Sequence, residues 1–262
     1  MTSPERERAR YQRHGDVGVV VIDDPPLNLF GRELTEAVVA ALRRAEDDGP
    51  RALLVRAEGE VFTGGADVNV FDGLTPDEAR AFTAGLMEIT HRLEDLPLPT
   101  LAAVHGLCLT AGFELSLACD MIWAAESARF GLVEIVVGLT PLMGGTQRVA
   151  ERAGPARARE LVMSGGLYDA ATLERWNVVN RVLPDEDLAE KSLRFAQRLA
   201  AGPTRANAAT KRIVRAFLEH GVRGADQRTA DIGAPLFGSE DLKRAVRSFL
   251  EEGPGKATFE GH

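Results

Sequence analysis

Residues 17–56 read VGVVVIDDPPLNLFGRELTEAVVAALRRAEDDGPRALLVR, and this stretch decides the fold class. VGVVVID (17–23) is a short β-branched run that predicts a buried strand. Asp24-Pro25-Pro26-Leu27-Asn28 breaks it. Residues 33–47 then place Leu34, Val38, Ala41, Leu42 and Ala45 on one helical stripe. RALLVR (51–56) predicts a second strand. Strand, helix, strand is the repeating unit of an α/β fold.

The mixed pattern continues outward from this unit. A small-residue loop, Glu60 to Val68, precedes a helix over 77–96 with Phe82, Leu86, Ile89, Leu93 and Leu96 on one side. Pro97 and Pro99 end that helix. TLAAVH (100–105) predicts a strand, 106–112 a turn, 112–119 a helix and MIWA (121–124) a further extended segment. After Phe130-Gly131 come an apolar stretch at 132–137 and a loop at 138–141, and Gly144 to Arg148 open another helix. From 155 onward the pattern is mainly helical, at 155–163, 169–175, 186–200, 203–220, 225–232 and 239–252. Gly202-Pro203 marks a boundary between a mixed part, 1–201, and a helical part, 202–262. The last ten residues, rich in Gly and Pro, read as loose or docked on a partner.

A chain of 262 residues, 45% of them hydrophobic, can bury a large core without disulfides or metal staples. The net charge of −8 argues against a dedicated nucleic-acid binder. Arg outnumbers Lys 27 to 4, evenly along the chain, which reads as compositional bias and not as a phosphate-binding device. Cys108 and Cys119 lie in apolar surroundings without metal spacing and read as core residues. The first sixteen residues, MTSPERERARYQRHGD, carry no apolar run of the secretory kind, and no run of about 18 apolar residues occurs that could span a membrane. A reducing cytoplasmic setting fits these features.

P-loop, GxSxG, HExxH and strand-linked GxGxxG patterns are absent. The five histidines show no metal-clamping pair, and His105, ending a strand, reads as a satisfied near-core residue. Two loops carry more chemistry. Thr63-Gly64-Gly65-Ala66-Asp67 follows a strand and has almost no side chains to keep a ligand from the backbone. Leu109 to Glu114 follows another strand and opens a helix, where free N–H groups and the helix dipole favour developing negative charge. Amides converging from both would form an oxyanion hole; the same loops also read as ordinary tight turns. Glu114, in the first helical turn, can serve simply to offset the dipole. Its neighbours Phe113, Leu115 and Leu117 are core-like, however, and Glu134 lies between Val133 and Ile135. Two carboxyls in apolar runs beside Gly-rich turns suggest a general acid/base pair.

Several linked segments make the chain similar to the crotonase, or enoyl-CoA hydratase/isomerase, superfamily. They are Phe62 to Val68; Ala103-Val104-His105-Gly106 leading into Ala111 to Asp120; Phe130 to Glu134; Gly138-Leu139-Thr140-Pro141; and Gly144 to Arg148. Asp24 to Asn28 and Phe249-Leu250-Glu251-Glu252 fit as well, so the resemblance covers roughly residues 12–259. It implies an α/β fold built as a spiral of ββα turns over 1–201, holding a CoA thioester site. It implies a helical C-terminal oligomerisation region over 202–262, giving a homotrimer or a hexamer made as a dimer of trimers. The implied substrate is an acyl-CoA, with no metal, no separate cofactor, no nucleic acid and no membrane; coenzyme A is part of the substrate.

By motif position the backbone N–H groups of Ala66 and Ala111 hold the thioester oxygen, and Glu114 and Glu134 fill the two glutamate positions of the hydratases. The implied activity is hydration of a 2-enoyl-CoA. A Δ3,Δ2-enoyl-CoA isomerase, needing one carboxylate and no water, is the second reading, and a non-enzymatic RNA-binding relative the third. Leu27, Gly64, Gly65, Asp67, Val68, Leu142, Phe237 and Lys256 are the expected CoA or substrate contacts. Three departures stand out. Pro141-Leu142-Met143-Gly144-Gly145 replaces Pro-Gly-Ala-Gly-Gly, adding bulk near the acyl site. Asn69 stands where a Lys is common, and no basic residue lies near Pro25, so Arg32 or Lys256 would have to meet the CoA phosphates. Thr110 and Ala111 replace glycines of the usual triple-glycine turn; Ala111 keeps its N–H and is expected at negative φ.

Overall fold

The computed structural model describes residues 7–262, so residues 1–6 of the N-terminal segment read above lie outside the described residues. The main sheet has six strands: β1 (Ala9–His14), β2 (Val17–Ile22), β3 (Ala52–Ala57), β4 (Thr100–Val104), β6 (Met121–Ala125) and β9 (Arg181–Leu183), in that order. β1 pairs antiparallel with β2, and every other neighbour is parallel. All six residues of β2 are buried, the apolar run expected of a parallel strand covered on both faces. The periodicity announces neither β9, only three residues long, nor β1. Its residues, ARYQRH, are half-buried and polar because it lies at the sheet edge.

α1 (Arg32–Asp48) buries Leu34, Val38, Ala41, Leu42 and Ala45, the stripe read from the sequence. α2 (Pro76–Asp95) begins with a capping box, in which the Thr75 hydroxyl and Glu78 carboxylate satisfy each other's backbone amides, with Pro76 in the first turn. A second, three-stranded sheet joins β5 (Leu107–Leu109), β7 (Arg129–Gly131) and β8 (Tyr168–Asp169). Its strands are two or three residues long, too short for a period to register. Between β5 and β6 lies α3 (Thr110–Ala118), every residue of which is buried.

The remaining helices are α4 (Gly145–Ala153), α5 (Pro155–Ser164), α6 (Ala170–Arg175), α7 (Asp185–Ala200), α8 (Thr204–Gly233) and α9 (Glu240–Glu252). The two helices expected over 203–220 and 225–232 are present as the two halves of α8, which break at Gly221, where φ is 69° and ψ −179°. α8 and α9 form the helical C-terminal part. The last residues dock on the chain itself. The Asp241 carboxylate accepts from the Glu260 and Gly261 amides at 2.8 Å each, and Arg51 donates to the Phe259 carbonyl at 2.9 Å. Cys108 and Cys119 are buried and unpaired, their thiols pushed up by burial. His105 is satisfied by the Gly59 carbonyl at 2.9 Å. No helix among the described residues is long and apolar enough to cross a membrane.

Candidate active site

Backbone hydrogen bonds tie the two small-residue loops together. The Thr63 amide donates to the Leu107 carbonyl at 2.9 Å, and the Leu109 amide donates to the Thr63 carbonyl at 3.1 Å. Gly112 makes the close approach possible, because a Cβ there would lie 1.8 Å from Thr63 Cγ2. Asn28 supports the first loop from beneath. Fully buried, its side-chain amide donates to the carbonyls of Glu58, Val61 and Phe62 at 3.0–3.2 Å. Its own carbonyl accepts from the Thr63 hydroxyl at 2.7 Å. Asn28 has a φ of 50°, a conformation Asn tolerates; its place next to a Pro-Pro break is the only sequence sign of this role.

Glu114 sits one helical turn into α3 and is 2% exposed. Its Oε1 accepts from the Met143 and Gly145 amides at 2.8 Å each. Gly145 is required here, since a Cβ would stand 2.8 Å from Glu114 Cγ. Arg148 holds the same loop from the other side. Its guanidinium forms a bidentate pair with Glu94, both contacts 2.7 Å, and donates to the Met143 and Gly144 carbonyls at 3.2 and 3.1 Å. Arg148 is thus a positioning residue for the loop that holds Glu114.

Glu134 starts the 3₁₀ turn Glu134–Val137. Both of its carboxyl oxygens are buried without a hydrogen-bond partner. Burial pushes the Glu134 carboxyl up to about 7. Burial, and then the nearby Glu134 charge, push Glu114 up to about 8, against the opposing pull of the two amides and Arg148. Two carboxyls with raised pKa values can therefore exchange protons near neutrality.

Both glutamates line a cavity of about 240 Å³, together with Gly64, Ala66, Val68, Ala111 and Leu142. The rest of its wall is largely apolar, including Phe30, Phe71, Phe82 and Met143. The bulk of Leu142 and Met143 is thus part of the wall itself. The Leu142 amide has no acceptor among the described residues. Ala111 lies in the first turn of α3, where an amide has no intrahelical acceptor. The Ala66 amide is engaged: it donates to Thr110 Oγ1 at 2.8 Å. The left-handed backbone angle of this turn falls on Thr110, at φ 41°, and not on Ala111. For a β-branched residue such an angle costs on the order of 1–3 kcal/mol.

The other expected contacts lie apart from the cavity wall. Leu27 is 43% exposed beside Gly64, whose amide donates to the Leu27 carbonyl at 2.7 Å. Gly65 backs the wall behind Thr110. The Asp67 carboxylate caps the short turn Val68–Phe71 and accepts from the Asn69 amide at 3.1 Å and side chain at 2.7 Å. Phe237 (78% exposed) and Lys256 (also exposed) belong to the C-terminal part. A larger cleft of about 680 Å³ runs between the end of α2, α4 and α8, but neither glutamate lines it. The cavity with convergent polar groups and shifted carboxyls is the better candidate site despite its smaller volume.

The enoyl-CoA hydratase/isomerase family model matches residues 12–262. The chain is 30% identical over 256 residues to the crotonyl-CoA hydratase of Syntrophomonas wolfei, covering 97% of this chain and 98% of that one. Among solved structures, "Enoyl-CoA Hydrates Subunit I" of Geobacillus kaustophilus HTA426 superposes with a TM-score of 0.91 at 32% identity, covering 97% and 98% of the two chains. The enoyl-CoA hydratase of Bacillus anthracis superposes at 0.89 and 26% identity, covering 97% and 100%. The α/β architecture with its helical C-terminal region is accordingly the crotonase fold, and the chain belongs to the enoyl-CoA hydratase/isomerase family.

Proposed function

We propose that the protein is an enoyl-CoA hydratase that adds water across the 2,3 double bond of a 2-enoyl-CoA thioester. One observation carries this reading. Glu114 and Glu134 share one cavity, both are raised toward neutrality, and neither is neutralised by a direct ion pair. A lone carboxylate suffices to move a proton between carbons; a pair suits the two proton transfers of hydration.

Polarising the thioester carbonyl makes C3 electrophilic. Water adds its oxygen to C3 while one glutamate takes the water proton and the other delivers a proton to C2. Water is thus consumed whole, and the pair ends with the proton count it began with. The open Leu142 amide beside the carboxyls offers a third contact to that water. The loops of Ala66 and Ala111 bring two hydrogen-bond donors to the thioester oxygen, where losing one costs about 3–4 kcal/mol in the transition state. No metal or redox cofactor takes part; coenzyme A comes with the substrate. Gly64, Gly65, Val68 and Leu142 contact the acyl and pantetheine parts, with Leu27 and Asp67 at the margin. Phe237 and Lys256 act from the C-terminal region, which forms a homotrimer or a dimer of trimers in a cytoplasmic enzyme.

Mass spectrometry after incubation with a 2-enoyl-CoA in oxygen-18-labelled water tests the reaction type. Hydration yields a product heavier by one labelled water. A product of unchanged mass with a moved double bond would establish the isomerase instead.

A further inference from the structure

We infer that the Thr110 hydroxyl, and not the Ala66 amide directly, is the second donor to the thioester oxygen, beside the Ala111 amide. This inference rests on the acyl-CoA reading of the cavity. Thr110 stands at the first position of α3, is 7% exposed, and lines the same cavity as Glu114 and Ala111. Its Oγ1 accepts the Ala66 N–H at 2.8 Å, so that amide is already spent on a protein oxygen. A hydroxyl that accepts still has one proton to donate. No group among the described residues accepts that proton.

The surrounding backbone is arranged around this side chain. A Cβ on Gly65 would lie 2.4 Å from Thr110 Oγ1, so glycine leaves the room that the hydroxyl fills. Thr110 is the only β-branched residue among the described residues with a positive φ, at 41°. Strain of this kind persists where surrounding structure fixes it, and it gathers at functional sites. The Ala66 N–H polarises the hydroxyl, and chained hydrogen bonds strengthen one another. Charge developing on the thioester oxygen is then relayed through Thr110 to the Ala66 amide. The bulk of the side chain also sets how deeply the thioester can enter.

Three variants of the 262-residue chain test this. Thr110→Val keeps the shape and the branching but removes the hydroxyl. Thr110→Ser keeps the hydroxyl, and Thr110→Cys offers a much weaker donor should Thr110→Val fail to fold. Calorimetric binding of butyryl-CoA, which carries no double bond to hydrate, is measured first. Infrared difference spectroscopy of its carbon-13-labelled carbonyl follows. The expected result is unchanged binding, a carbonyl stretch lowered in wild type and Thr110→Ser, and most of that lowering lost in Thr110→Val and part in Thr110→Cys. Hydration kcat should fall about 10²–10³-fold in Thr110→Val with little change in KM. A wild-type carbonyl shift or faster turnover in Thr110→Val or Thr110→Cys would show that the side chain only blocks the Ala66 amide, and would overturn the inference. Failure of the wild type to bind any acyl-CoA would instead overturn the thioester reading, and the inference with it.

Discussion

Glu114 and Glu134 owe their chemistry to where the chain buries them. A carboxyl raised by burial loses stability for the fold as pH climbs from its unfolded value, near 4.5, through its folded value, and nothing further above it. Glu134→Gln removes that pH-dependent cost, so it is expected to melt higher relative to wild type at pH 8 than at pH 5; calorimetric scans at both values check this. The same substitution removes a like charge from beside Glu114, whose pKa should fall below about 8, as carbon-13 side-chain titration would report. In the wild type the pair holds a single proton chiefly between about 7 and about 8. The rate profile should therefore be a bell, falling below that window as both carboxyls protonate and above it as both ionise. Both glutamates were legible in the sequence as acids in apolar runs. Thr110 was legible only as a departure from a glycine turn; that its hydroxyl meets the Ala66 amide depends on two loops 44 residues apart converging.

At the scale of elements, the site depends on three loops held by backbone contacts. Gly145→Ala should push the Glu114 carboxyl out of its amide cradle, since the new Cβ would lie 2.8 Å from Cγ and 3.1 Å from Oε1. The expected outcome is a tenfold or greater fall in kcat, on the scale of general acid–base help, with acyl-CoA affinity retained; steady-state kinetics and calorimetric binding separate the two. Arg148→Met should cost about 1–3 kcal/mol in denaturant unfolding, by leaving the Met143 carbonyl and Glu94 without their partner and the Gly144 carbonyl with only the residue-148 amide. Helical stripes such as that of α1 were legible because a buried face imposes its period on the sequence. The strands of the second sheet, two or three residues long, were not. Neither was the clamp by Arg148, because an Arg in an amphipathic helix looks the same whether it faces solvent or a loop carbonyl.

The whole molecule presents an unfinished surface in its C-terminal part. α8 exposes Val214, Phe217, Leu218 and Val222, and α9 exposes Val246, Phe249 and Leu250. Apolar side chains on that scale are normally covered by another chain. Light scattering of the purified protein should give a mass of three or six chains, and a stable monomer would contradict the proposed trimer. The helices that follow β9, from Asp185 onward, were legible because each carries a helical apolar period. The docking of the last residues on Asp241 and Arg51 was not, because a Gly- and Pro-rich tail carries no periodic signal of what it touches.

The most direct test of the central claim, hydration by the Glu114–Glu134 pair, is a spectrophotometric assay with a short panel of 2-enoyl-CoA thioesters. It follows loss of the conjugated-enone absorbance in wild type, Glu114→Gln and Glu134→Gln. The account predicts turnover by the wild type and at least about a hundredfold loss in each variant, with melting curves showing an intact fold. Near-full activity in either variant would remove that glutamate from the mechanism. No loss of absorbance with any thioester, in a wild type that binds acyl-CoA, would contradict the hydratase itself.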